Sequence, residues 1–423
     1  MSSTSLAGRV AFGYPDFRNF FGTSVLGSLA VEMQITAVSW QVYQLTGDPL
    51  HLGLVGLAQF APFPLLFLAA GAAADRFPRV RIVQATMAVQ LLCAAAFLTV
   101  TVGDAATMPM IFSILILLGV ARAFQSPARP AILPLLVPPE HFPNAVAWNS
   151  AGSQTARIGG PAVAGALLIL GVEVVYGAVV VLAAAALGFA FRVHARSQIL
   201  DKGRPTLRTI LAGFRFIWSR PVILGAISLD LFAVLLGGAT ALLPIFAVDI
   251  LGVGAVGYGA LRASHVIGSL VSSLVLTQRP ILRRAGSKLL ASVAVFGAAT
   301  CVFGLSTTFW LSFLALFALG AADAVSVFIR SNLVQVITPD AMRGRVSAVN
   351  SIFIGASNEL GEFESGVTAA WWGVVPAVLV GGIGTIVVAV VFGFAIPRLR
   401  RVDSLDHIRL IRDHREVTGP PGG

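Results

Sequence analysis

The sequence predicts an all-α polytopic membrane protein, with twelve transmembrane helices arranged as two pseudo-symmetric halves of six. Three observations carry that prediction. Of the 423 residues, 57% are hydrophobic and only 11% charged, and the mean hydropathy is +0.87; a soluble domain is about 45–50% apolar and about 25% charged. A stretch of the first half recurs, without a gap, 201 residues later. Leu118, Gly119, Ala121, Ala123, Arg129, Pro138, Ala147, Asn149, Ser150, Gly160 and Gly165 meet the same residue types at Leu319, Gly320, Ala322, Ala324, Arg330, Pro339, Ala348, Asn350, Ser351, Gly361 and Gly366. Finally, 25 of the 29 Lys and Arg lie in alternate loops and at the two ends. Two homologous halves that each cross an even number of times share one orientation about an axis along the membrane normal. That is one of the repeat plans that alternate access to a midplane site, so the architecture points to a transporter.

Each span follows from length and punctuation. A hydrocarbon core about 30 Å thick needs roughly 20 helical residues per crossing. Apolar stretches at 18–44, 50–74, 81–102, 109–128, 144–170 and 174–193 supply the first six. Those at 221–247, 256–277, 288–306, 309–335, 346–370 and 374–396 supply the second six. Turn chemistry separates them at Thr46-Gly47-Asp48-Pro49, Gly103-Asp104, Gly252-Val253-Gly254 and Trp372-Gly373. The halves are therefore 1–193 and 221–396, joined by a linker at 194–220 and followed by a tail at 397–423.

Orientation comes from the cations. The loops near 45–50, 103–108, 171–173, 248–255, 307–308 and 371–373 hold no Lys or Arg, while the alternate loops and both ends hold 25 of the 29. Positive loops stay inside, so both termini are expected in the cytoplasm and the protein in the cell inner membrane. The basic pI of 10.8 is then a topology signal, and no nucleic-acid partner is expected. Residues 1–13 lack the apolar core of a removable signal peptide. Cys93 and Cys301, both inside spans, suggest neither a disulfide framework nor a metal site, and no cofactor is expected. In the linker, Leu207, Ile210, Leu211, Phe214, Ile217 and Trp218 recur at helical spacing among Arg204, Arg208 and Arg215. That pattern predicts an amphipathic helix lying at the cytoplasmic interface, with a calmodulin-type target helix as the alternative.

The informative residues are the charges left inside spans: Arg122, Arg157, Arg262 and Arg330, with Glu32, Asp230, Asp323, Glu359, Glu362 and Glu364. A charge facing lipid at the bilayer centre costs about 2.5–3.5 kcal/mol on insertion scales, so most must face the bundle interior, pair, or snorkel. Arg122 maps onto Asp323 in the repeat. Opposite charges at equivalent inward positions form a pair that opens during transport, form a static one, or are each satisfied within their own half. Glu359 and Glu362 are three apart on one helix face. Two desolvated carboxylates side by side do not both ionise easily, as a proton-carrying site requires; the alternative is structural pairing with Arg262 or Arg330. Arg129 and Arg330, near span ends, are expected to snorkel. His265, one turn from Arg262, is either a proton relay or a buried hydrogen-bonding histidine. Glu32, Gln34, Asp230, Arg262 and His265 are the cavity candidates. Glu359, Glu362, Asp323 and Arg122 are the proton-coupling candidates.

Three motifs carry a family resemblance. Gly71-Ala-Ala-Ala-Asp75-Arg76-Phe-Pro-Arg79-Val-Arg81 resembles the loop between helices 2 and 3 of the major facilitator superfamily. Leu118-x-x-x-Arg122-x-x-Gln125-Ser126 resembles the span-4 motif of its proton-coupled members, with Ser where Gly is usual. Gly160-Pro161-Ala-Val-Ala-Gly165 resembles the span-5 motif of its antiporters. Val42 to Gly47 and Pro339 to Val346 are similar to the enterobactin-exporter-like and macrolide-efflux-like branch. The loop at Gln278–Arg284, the second-half counterpart of the Gly71 loop, has no Asp.

The resemblance implies the twelve-helix fold and proton-driven export of a small molecule such as a siderophore or drug. It implies a cavity lined by spans 1, 4, 7 and 10, and a cytoplasmic gate of Gly71, Asp75, Arg76, Arg79 and Arg81. It also implies a helix-packing motif of Gly160, Pro161 and Gly165. The expected partners are the small-molecule substrate, protons and the lipid bilayer, with the monomer as the functional unit. An importer or lipid flippase of the same fold, a membrane-embedded enzyme and a non-transporting sensor are the rival readings. The enzyme would need a nucleophile or metal cluster, and the six histidines are scattered.

Overall fold

The computed structural model describes residues 9–194, 214–279, 281, 283–400 and 402, and among these the regular structure is helical, without strands. The long helices are α1 (Pro15–Thr46), α2 (Pro49–Phe60), α3 (Pro62–Arg76), α4 (Arg79–Val102), α5 (Met108–Ala128), α6 (Phe142–Leu167) and α7 (Val172–Phe191). They continue as α8 (Pro221–Leu236), α9 (Gly254–Gln278), α10 (Ala285–Leu305), α11 (Phe309–Ile337), α12 (Asp340–Trp372) and α13 (Val374–Ala395).

Local chemistry sets the ends. Pro15 starts α1 at a position where the missing N–H costs nothing. Gly47 closes it in the left-handed region (φ 61°), its N–H returning to the Tyr43 carbonyl at 2.8 Å. Two spans expected as unbroken helices are broken. The second divides at Ala61 into α2 and α3, because Pro62 and Pro64 withdraw two backbone donors. The seventh stops at Gly237-Gly238 and continues as a 3-10 turn (Ala239–Leu242), one α turn (Leu243–Ile245) and a π turn (Phe246–Ile250). Glycine has the lowest helix-holding power after proline, and a Cβ at Gly238 would run into the Gly361 carbonyl of α12.

Among the described residues, ten helical segments are long and apolar enough to cross a membrane, counting 49–67 and 221–250 each as one. The other two long helices, α6 and α12, carry the polar cargo: Asn144, Asn149, Gln154 and Arg157 on one, and Asn350, Asn358, Glu359, Glu362 and Glu364 on the other. Large apolar side chains stand exposed along the helices, Leu65 and Phe394 among them, as expected where lipid is the solvent. Exposed Trp218, Trp310, Trp371 and Trp372 sit at helix ends, where the headgroup region favours amphipathic rings.

The chain forms two compact units, one within residues 1–47, 55–205 and 252–263, the other within 48–54, 206–251 and 264–423. In the first, α1 packs on α6 and α7, α4 on α5 and α7, and α3 on α5. In the second, α8 packs on α12 and α13, and α10 on α11 and α13. There α9 lies on α11 through Gly268 against the Phe317 backbone and Gly320 against that of His265. Neighbour for neighbour the two plans agree, so the 201-residue repeat is also a repeat of packing.

The cores are apolar with a few satisfied polar links. Phe97 stacks on Tyr176 at 5.3 Å. The Tyr176 hydroxyl donates to Gln41 Oε1 at 2.7 Å, and Gln41 Nε2 donates to Thr101 Oγ1 at 2.9 Å, tying α1, α4 and α7 together. Of the linker, residues 214–218 are helical, and Ile217 is buried against Ile223, Ile227, Val334, Val346 and Val349. The remainder of the expected amphipathic helix, and the tail from 403 onward, lie outside the described residues.

Candidate functional site

A cavity of about 230 Å³ opens inside the first unit. Helix α1 gives it Ser28, Val31, Glu32, Gln34 and Ile35, at the helical spacing that puts one face against the space. Gln90 enters from α4, Arg122 and Gln125 from α5, Ser153 and Arg157 from α6, Gln59 from α2, and Arg129 from the turn after α5. Polar side chains gathered inside an apolar membrane bundle make this cavity the candidate site.

The walls are ordered by their own contacts. Arg157 Nε stands 3.9 Å from Glu32 Oε1. Arg129 Nη2 donates to the Ser24 carbonyl at 2.9 Å and to Ser28 Oγ at 3.1 Å. Gln90 Nε2 donates to Gln125 Oε1 at 3.3 Å. The amide nitrogens of Gln34 and Gln125 are buried without a hydrogen-bond partner. The lining includes three guanidinium groups and one carboxylate.

The Gly160-Pro161 motif holds Glu32 in place. A Cβ on Gly160 would fall 2.5 Å from the Glu32 Cβ, so only glycine lets α6 lie this close to α1, and Pro161 is buried beside it. A Cβ on its repeat mate Gly361 would fall 2.5 Å from the Val234 carbonyl oxygen of α8. A Cβ on Gly165 would come within 2.7 Å of Gly259 Cα, and one on Gly366 within 2.8 Å of Gly53 Cα. Small residues therefore set both crossings in each unit.

In the second unit Arg330 of α11 donates to Asp230 of α8, and both side chains are almost fully enclosed. Asp323 stands two turns earlier on α11. The ion pair corrects the expectation that Arg330 snorkels. Its guanidinium turns into the bundle because a carboxylate on α8 meets it there, and Arg129 likewise turns inward to α1. The pair also withdraws Arg330 as the expected partner of Glu359 or Glu362, and places Asp230 in a closed ion pair.

The remaining candidates are spread over several elements. Arg262 Nη1 donates to the Tyr258 hydroxyl at 3.3 Å, and Tyr258 stacks on Trp40 at 5.7 Å. His265, Glu359 and Glu362 are half-buried on α9 and α12. Gly71, Asp75 and Arg76 occupy the end of α3, and Arg79 and Arg81 open α4, with Arg79 Nη1 donating to the Ala131 carbonyl at 3.3 Å. Of the charged candidates, the first-unit cavity gathers Arg122 and Glu32. Gln59, Gln90 and Ser28 are not among the residues the sequence singles out, and Gln125 is singled out only within the span-4 motif. Their signal was a neutral amide or hydroxyl inside a span that is otherwise apolar.

The family described as transmembrane secretion effector matches residues 9–417. The enterobactin exporter EntS of Citrobacter koseri is 26% identical over 394 residues, covering 92% of this chain and 93% of that protein. The staphyloferrin A transporter of Staphylococcus aureus is 30% identical over 150 residues, 35% of this chain and 38% of its own. Among solved structures, a bacterial homologue of the iron transporter ferroportin superposes with TM-score 0.69 at 16% identity, covering 91% of this chain and 98% of that one. A bacterial homologue of the human lysosomal transporter Spinster gives TM-score 0.69 at 14% identity, covering 90% and 96%. With helices, repeat and motifs in agreement, the chain belongs to the transmembrane secretion effector family of the major facilitator superfamily, a multi-pass membrane transporter.

Proposed function

We propose that this protein is a secondary active exporter that moves a small molecule out of the cell in exchange for protons, by alternating access. The observation that carries the reading is the polar cavity with Arg122, Glu32 and Arg157 set inside an apolar bundle. Polar side chains enclosed in an apolar membrane bundle suit the binding of a solute on its way across. The exporter names of relatives aligned over nine-tenths of the chain support the direction, and support a siderophore as substrate. The reading places the protein in the cell inner membrane as a monomer with both termini cytoplasmic. Asp323, Glu359 and Glu362 are the carboxylates assigned to proton coupling, with Arg122 as the cation that responds to them. The residues from Gly71 to Arg81 are assigned to the cytoplasmic gate.

The test is flux in proteoliposomes under an imposed pH gradient, with labelled siderophores, macrolides and cationic dyes. The reading expects substrate movement that collapses with the gradient and is lost in Glu362→Gln. Movement indifferent to the gradient would replace exchange by uniport or lipid flipping.

A further inference from the structure

We propose that the second unit binds an acidic phospholipid where α10 begins and α13 ends. The anionic headgroup is held by Lys288, Arg398 and Arg400, and the acyl chains lie along the outer faces of the two helices. The site is separate from the polar cavity of the first unit, and the lipid is a bound partner, not the cargo.

The end of α13 builds the place. Beyond it the backbone makes one helical turn, Pro397–Arg400, and lies against the first turn of α10. The Gly286 N–H donates to the Val402 carbonyl at 3.0 Å, and Ser287 Oγ donates to the Arg400 carbonyl at 3.4 Å. Leu399 is fully buried in a core with Ala285 and Leu289, while Arg398 and Arg400 on either side of it are exposed. Arg283 and Lys288, on the α10 side of the contact, are exposed as well. Four cations from two distant stretches of chain therefore share one corner. The sequence places no Asp or Glu within 279–305 or 374–402 to offset them; Asp403, the next acid, lies outside the described residues.

The helix faces beside that corner point to a lipid and not to a free anion. Lys288 heads a stripe of α10 in which Ala291, Val295 and Val302 are exposed, the spacing of one helix face. On α13, Val387, Val391 and Phe394 are exposed at the same kind of spacing, and the stripe leads toward Arg398. The two helices pack on each other, so both stripes belong to one pair and end at one group of cations. Apolar faces capped by positive charge match a molecule with acyl chains beneath an anionic head. The first unit differs at the corresponding corner. Its loop carries Asp75, and Asp16 Oδ1 accepts the His194 N–H at 2.9 Å, two residues from Arg192. Carboxylates stand among the cations there, which singles out the second unit.

Native mass spectrometry of the purified full-length protein, titrated in detergent, tests this with three probes. They are dioleoyl phosphatidylglycerol, dioleoyl phosphatidylcholine and inorganic phosphate. An acidic-lipid site predicts saturable binding of the phosphatidylglycerol, about tenfold or more tighter than of the phosphatidylcholine, and no displacement by inorganic phosphate. Lys288→Gln should weaken the phosphatidylglycerol by about fivefold and Lys288→Gln/Arg398→Gln by about twenty-five-fold, with phosphatidylcholine unaffected. Arg18→Gln/Arg192→Gln, which neutralises two exposed cations of the first unit, should change neither lipid. All these side chains are exposed, so melting temperatures in lipid-free detergent should match the parent. Equal affinity for the two lipids, undiminished phosphatidylglycerol binding in Lys288→Gln/Arg398→Gln, an equal loss in Arg18→Gln/Arg192→Gln, or displacement by inorganic phosphate would overturn the proposal.

Discussion

Arg330 and Asp230 form an ion pair across α11 and α8 with both side chains closed off from solvent, and the repeat supplies its counterpart. Arg129, 201 residues earlier, makes the same reach from the end of α5 to α1, where it finds the Ser24 carbonyl and Ser28 Oγ in place of a carboxylate. One half of the bundle is thus latched by a charge pair and the other by neutral oxygens. The two latches differ in what their loss exposes.

Replacing Asp230 alone by Ala strands the Arg330 cation in a dry interior. Breaking one side of a buried pair costs about 3–5 kcal/mol. The melting temperature in detergent should fall accordingly, and the double variant Asp230→Leu/Arg330→Met should recover most of the loss. A single variant as stable as the parent would show that the pair is not shielded.

Gly160→Val should drive α6 away from α1, since even a Cβ would fall 2.5 Å from that of Glu32. Overpacking of this kind costs about 1–3 kcal/mol, and the displaced Glu32 should impair transport as well. Gly177→Ala provides the contrast. Nothing lies within 4 Å of its added Cβ, so replacing a helical glycine there should stabilise by about 0.5–1 kcal/mol. Thermal denaturation of both variants checks the pair of signs.

Tyr176→Phe removes the hydroxyl that donates to Gln41 Oε1 at 2.7 Å in a buried setting. An acceptor left without its donor costs about 1–3 kcal/mol. The variant should melt earlier, and Gln41→Leu/Tyr176→Phe should melt later than Tyr176→Phe. The opposite order would mean that the link carries no strain when cut.

Arg122→Ala should abolish flux while leaving expression and membrane insertion intact, because Arg122 faces the cavity. Proteoliposome uptake together with yield from membranes separates the two effects. Normal transport would take Arg122 out of the mechanism.

Much of this was legible in the sequence, and the limits have physical causes. The repeat picked out Gly160 with Gly361 and Gly165 with Gly366, and each pair makes corresponding helix crossings; small residues at fixed offsets are a packing code that survives without context. The interruption at Gly237-Gly238 was present as two adjacent glycines, but a strongly apolar run masked it. Arg330 was misread because its position near a helix end suits snorkelling, and its partner lies 100 residues away on another helix. Gln90 is hard to single out because a neutral amide in a span gives a weaker sequence signal than a charge, and Gln125 stands out only through the span-4 motif. What gives them weight is their convergence on one space, a property of the fold.

Proton counting tests the central claim most directly. Proteoliposomes holding a trapped pH indicator in weak buffer, with no gradient imposed, would receive substrate on one side only. Proton–solute exchange predicts an immediate pH change inside, protons moving opposite to the solute, and its absence in Glu362→Gln. Solute entry with a flat pH trace would contradict exchange and leave a transporter of the same fold that runs without protons.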